Sequence, residues 1–130
     1  MSPVLFAVET NNPAGAPPAS DAQIQHGKYL VENVAMCGDC HTPRDNNGQL
    51  DRSAWLQGNL LDYKFDRPGQ FASVAPPIAG MPGFTDEKAV KFLETGIDLP
   101  GKPALPPMPQ FRFNHEDAVA VVAYLQSLKP

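Results

Sequence analysis

Apolar residues gather into three stripes of helical period, separated by long stretches that keep no period at all. The last stripe is the clearest. Ala118, Val119, Val121, Val122, Leu125 and Leu128 recur at steps of three and four over about four turns, behind Asn114 as a cap and Asp117 three residues on. An earlier stripe, Val90, Phe92, Leu93 and Ile97, follows Thr85 as cap; Asp86 and Glu87 occupy its first turn, where the peptide dipoles favour negative charge, and Gly96 ends it. The first stripe opens at Ser20-Asp21-Ala22-Gln23, which reads as a capping box. It carries Ile24, Tyr29, Leu30, Val34 and Ala35 and predicts a helix running to about Cys37.

Between the stripes, Asp45-Asn46-Asn47-Gly48 is a strong turn signal, residues 50–83 read as loop, and a short helical piece is expected near Ala54 to Gln57. Nothing alternates long enough to demand a strand, so the expected class is all-α: three main helices and long loops. The 130 residues make one domain. A Pro-, Ala- and Asn-rich opening predicts a flexible segment over residues 1–19 and a folded unit over 20–130. With 15 prolines and 10 glycines, much of that unit must be irregular, and loops of that length need a body to pack on.

Cys37-Gly38-Asp39-Cys40-His41 supplies the reason such a body is present. Two thiols separated by two residues, with a histidine directly after the second, are what covalent attachment of a c-type haem requires. The thiols add across the two porphyrin vinyl groups as thioethers, and the histidine is held beneath the ring with its imidazole toward the iron. Three other readings fit less well. A thioredoxin-like dithiol would open a helix after a strand, whereas this motif closes an amphipathic stretch. A structural zinc site needs four ligands, and the spare histidines, His26 and His115, are distant in sequence. A Cys37–Cys40 disulfide would close a very tight loop and leave His41 unexplained. The chain has two cysteines, so it is expected to carry a single haem c, the flat apolar body about which the loops wrap.

With His41 as one axial ligand, the other candidates are Met36, Met81, Met108, His26 and His115, Met1 lying on the N-terminal segment. Met36 adjoins the attachment site and cannot reach the opposite face. His26 and His115 suit surface roles on their helices. Met108 lies in Leu105-Pro106-Pro107-Met108-Pro109, where prolines restrict the backbone before any contact is made; a stiff loop loses less entropy on placing its thioether. Met81, in Gly80-Met81-Pro82-Gly83, is the rival, and either methionine could simply fill a gap in the core.

Charge narrows the partners. Fourteen acidic against ten basic groups, a net −4, give no sign of a nucleic-acid or anionic-membrane partner. No run approaches the roughly 20 apolar residues of a membrane-spanning helix. A full signal-peptide core is missing too, so the expectation is a leader removed ahead of Met1 or lost with the targeting information; haem attachment on the outer side of the bacterial inner membrane then implies a periplasmic protein.

Gly27 with Tyr29-Leu30 ahead of the attachment motif, and Ala123-Tyr124-Leu125 near the end, resemble the first and last helices of a class I cytochrome c. The likeness runs from about Gly27 to Leu128. Cys40-His41-Thr42-Pro43-Arg44, Asp86-Glu87, Thr95-Gly96, Pro107-Met108-Pro109 and the Asp117 to Leu125 stretch are similar in more detail to bacterial mono-haem cytochromes and to cytochrome subunits of periplasmic dehydrogenases. One departure is the run Val74-Ala75-Pro76-Pro77-Ile78, where the subunits often carry Asn-hydrophobe-Thr-Pro-Asp.

The resemblance implies a crossing of the two terminal helices at Gly27 and Tyr124, and Met108 rather than Met81 as the second ligand. It implies an electron carrier rather than an enzyme, working between redox partner proteins such as a periplasmic dehydrogenase, an oxidase or another cytochrome. Contact is expected at Gly38, Asp39 and the loop from Pro106 to Pro109. Trp55, Arg44, Arg52, Tyr63 and Arg67 are candidates to hold the haem propionates. Two alternatives remain: an open-site haem sensor or peroxidase-like protein, and the electron-accepting subunit of a larger dehydrogenase or oxidase.

Overall fold

The computed structural model describes residues 19–61, 71–98 and 101–128. Ser20 Oγ accepts the Gln23 N–H at 3.1 Å and opens α1, Asp21–Tyr29. The predicted single helix to Cys37 is instead divided. A π-helical turn, Leu30–Val34, follows α1, with the Ala35 N–H on Leu30 O at 2.8 Å, and the Cys37 N–H reaches back to Val31 O at 3.0 Å. The attachment motif then forms its own turn of helix, α2, Gly38–His41.

This changes which side chains are inside. The buried face of α1 runs from Ile24 through Gly27 to Leu30 and Val31, and a glycine adds nothing to an apolar stripe, so Tyr29 looked inward by pattern but is exposed. Past Leu30 the wider turn holds an extra residue and rotates Val34 outward as well.

Among the described residues the regular elements are mostly but not wholly helical. Two two-residue strands, β1 (Asn59–Leu60) and β2 (Val74–Ala75), pair antiparallel, Asn59 opposite Ala75 and Leu60 opposite Val74. Strands this short carry no readable alternation. A 3₁₀ turn, Arg52–Ala54, overlaps the expected helical piece at Ala54 and ends there. The later caps fall where expected. Thr85 Oγ1 accepts from Lys88 at 3.2 Å to open α3, Asp86–Thr95, which Gly96 ends at φ 74°. Asn114 Oδ1 accepts from Asp117 at 2.8 Å to open α4, His115–Ser127. Each cap contributes about 1 kcal/mol.

α4 packs on both α1 and α3, burying Ala118, Ala120, Val121, Val122, Tyr124 and Leu125 against Leu30, Val31, Ala89 and Leu93. The α1–α4 crossing is close because Gly27 is at it: a Cβ there would lie 1.9 Å from Ala120 O and 2.9 Å from Tyr124 Cβ. His26 Nε2 and Asp117 Oδ1, 2.8 Å apart, clasp the same pair of helices.

The loop after the motif is tied down by backbone bonds. Leu56, fully buried at φ 60°, donates its N–H to Thr42 Oγ1 at 2.8 Å and accepts from Ile78 at 2.8 Å and Ala79 at 3.0 Å. Gly80 in turn donates to Leu125 O at 2.8 Å, which fastens the loop to α4.

Candidate functional site

α2 sets Cys37, Cys40 and His41 on one helical turn, with both cysteines half-buried and unpaired. Burial, assisted by the neighbouring Cys40, pushes the Cys37 thiol up to about 11, against a backbone hydrogen bond that lowers it. A thiol held protonated in apolar surroundings is a poor redox dithiol and a poor thiolate ligand, so the arrangement disfavours both competing readings of the pair.

His41 is 8% exposed, and its Nδ1 lies 2.7 Å from the carbonyl oxygen of Pro76. A carbonyl only accepts, so Nδ1 carries the hydrogen and Nε2 keeps a free lone pair. Burial holds the ring's pKa below the ordinary histidine value, opposed by the Pro76 bond, so the imidazole is neutral at neutral pH. Among the described residues no group of three or more His, Cys, Asp and Glu could hold a metal ion. One neutral imidazole beside the protonated Cys37 thiol therefore fits an iron that arrives with its own equatorial ligands, as in a porphyrin, rather than a bare ion.

The turn is braced from outside. The Trp55 ring lies over Gly38, where a Cβ would come within 2.4 Å of Cη2 and Cζ3; at this position only glycine fits. Arg44 donates to Gly48 O at 2.9 Å and Asp39 O at 3.3 Å, and the Gly58 N–H donates to His41 O at 2.7 Å. Sequence reasoning missed Gly38, Thr42 and Pro76 as supports. Pro76 acts through its carbonyl, which every residue has, so no side-chain signal could have found it.

Met108 lies on the loop ahead of α4. It is half-buried and closes a bend with its N–H on Leu105 O at 3.0 Å, while Pro106 O accepts from Ala72 at 2.8 Å. Met81 is 7% exposed within the apolar core beside Leu30, Leu56 and Leu125, the setting of a gap-filling methionine. Met36 is exposed, His26 is paired with Asp117, and His115 Nδ1 lies 2.6 Å from Glu94.

Of the propionate candidates, Trp55 gives its only side-chain N–H to Tyr124 Oη at 2.9 Å and Arg44 is engaged with carbonyls. Arg52 lies over the Trp55 ring. Tyr63 and Arg67 fall outside the described residues.

Residues 22–125 match the family model described as cytochrome c oxidase, cbb3-type, subunit III. Over 107 residues the chain is 30% identical to the fructose dehydrogenase cytochrome subunit of Gluconobacter japonicus, covering 78% of this chain and 21% of that one. Over 124 residues it is 29% identical to the cytochrome c subunit of the quinone alcohol dehydrogenase of Komagataeibacter europaeus, covering 87% and 26%. A 34-residue stretch is 53% identical to a diheme cytochrome c-type protein of Cereibacter sphaeroides, covering 26% and 12%. The chain thus spans between 12% and 26% of the length of these curated relatives.

Proposed function

The chain belongs to the c-type cytochrome family of that match, with haem c as its cofactor, and from this premise we propose that it is a periplasmic one-electron carrier with a single haem, anchored by Cys37 and Cys40 and ligated by His41 and Met108. The observation that carries this reading is the His41 to Pro76 bond on the attachment turn, which leaves Nε2 as a neutral, oriented donor. Bound there, the haem supplies a one-electron couple.

The protein's own residues set the terms of that couple. The Pro76 carbonyl makes the imidazole a better donor and holds its plane, so a change of oxidation state requires little movement. A thioether from Met108 on its proline-stiffened bend would hold the iron together with His41, exclude small oxidants and favour the reduced state, which would raise the potential relative to two histidines.

Gly38 cannot belong to the partner contact expected from sequence, because Trp55 covers it and it is buried. Asp39, Pro106 and Pro109 are exposed and constitute the revised contact. No helix among the described residues is long and apolar enough to cross a membrane.

A second reading, the electron-accepting part of a dehydrogenase, is favoured by the names of two relatives, both cytochrome subunits of dehydrogenases. Co-purification with a catalytic chain would support it. Carbon monoxide added to the reduced protein tests the closed site: slow, weak binding supports Met108 ligation, and rapid, tight binding supports an open-site sensor instead.

A further inference from the structure

Trp55, Tyr124, Glu32 and Arg52 form a cluster that ligation does not use, and the chemistry of the donors sets its direction. An indole N–H can only donate, so Trp55 Nε1 gives its hydrogen to Tyr124 Oη at 2.9 Å. Tyr124 then has its own hydrogen to give, and it goes to Glu32 Oε2 at 3.2 Å. The tyrosine is 5% exposed, which leaves the carboxylate as its acceptor. At the other end, the indole presses on the backbone of the attachment turn at Gly38.

Two charges bias the path. The Arg52 guanidinium lies 3.8 Å from the Trp55 ring centroid and opposes positive charge on the indole. Glu32 stands ready to take the phenolic proton as Tyr124 is oxidised. A positive hole reaching Trp55 is therefore driven onward to Tyr124.

We propose that Tyr124, Trp55 and Glu32 form a one-electron relay that delivers an electron from α4 to the attachment turn when a strong one-electron oxidant, of the class of a trivalent transition-metal complex, acts there. Tyr124 loses one electron across the Trp55 indole and its O–H bond breaks. The proton passes to the Glu32 carboxylate, and the oxidant is reduced by one electron. A neutral tyrosyl radical and a protonated Glu32 remain, and one electron from a reduced partner, with return of the proton, restores both. Arg52, 3.5 Å from the same Oε2 and exposed, is free to move off when that carboxyl is neutralised. The relay rests on attachment at Cys37 and Cys40 but not on which residue is the sixth ligand.

The test is flash-quench oxidation of the full-length holoprotein with photogenerated ruthenium(III) polypyridyl, followed by freezing and electron paramagnetic resonance. A Tyr29→Phe, Tyr63→Phe background leaves Tyr124 as the one tyrosine of the chain and removes Tyr29, which is 56% exposed and open to direct oxidation. The relay predicts a neutral tyrosyl signal that is lost in Tyr124→Phe, falls in Trp55→Phe and forms more slowly in Glu32→Gln. Circular dichroism confirms that each variant is folded. A signal of undiminished yield in either Tyr124→Phe or Trp55→Phe overturns the relay. Haem absorbance, read beforehand on the same samples, tests attachment separately.

Discussion

Gly27 and Ala120 meet backbone to backbone: a Cβ on the glycine would stand 1.9 Å from the alanine's carbonyl oxygen. On an open helix face, replacing glycine by alanine stabilises by about 0.5–1 kcal/mol. Here the sign should reverse. Gly27→Ala must push α1 off α4, and overpacking of this kind costs about 1–3 kcal/mol. A denaturant midpoint clearly below that of the parent is expected, and an unchanged or raised midpoint would show that the crossing can relax.

Gly38→Ala should strike the attachment turn through Trp55. The added methyl meets the ring at 2.4 Å, so either the turn or the indole must move. Lower haem incorporation and altered tryptophan emission are expected. Trp55→Leu in the same chain should restore incorporation by making room; a double variant as poor as Gly38→Ala would mean that the indole is not the obstacle.

Tyr124 supplies a pH test with a definite sign. Burial raises its hydroxyl pKa above the ordinary 10.0; the Glu32 charge and hydrogen bond add to this, while the Trp55 hydrogen bond and Arg52 oppose it. A phenol that holds its proton more tightly when folded contributes stability that is complete below pH 10.0 and is lost as pH rises through the higher folded value. Tyr124→Phe should flatten that alkaline decline in denaturant midpoints measured against pH. An identical decline in the variant would assign it to other groups.

The elements legible in the sequence are those whose signals are local. Ser20, Thr85 and Asn114 each accept the backbone hydrogen of the residue three positions on, and Gly96 adopts the left-handed conformation that ends α3. Gly27 and Tyr124 meet at the helix crossing, and the motif brings Cys37, Cys40 and His41 onto one turn. What pattern could not show depends on backbone or on distant contacts. The π-helical turn has no residue signature, so the inward face of the first helix passes to Val31. The Pro76 carbonyl and the Thr42–Leu56 bond arise only when the loop folds back over the motif.

Removing the cofactor tests what the loops depend on. On the reading proposed above, replacing both Cys37 and Cys40 by alanine prevents the thioethers and deprives a loop-rich chain of the body it would pack against. Far-ultraviolet circular dichroism should show much of the helix signal lost. A cooperative thermal transition equal to that of the holoprotein would show that the core around Val31, Leu56 and Val121 suffices by itself.

The most direct test of His41 and Met108 as axial partners is the sulfur-to-iron charge-transfer band of the ferric protein, measured with the reduction potential in the parent, Met108→Ala and Met81→Ala. The account predicts a band in the parent and in Met81→Ala, and loss of the band with a lowered potential in Met108→Ala. A band that survives in Met108→Ala, or disappears in Met81→Ala instead, would contradict it.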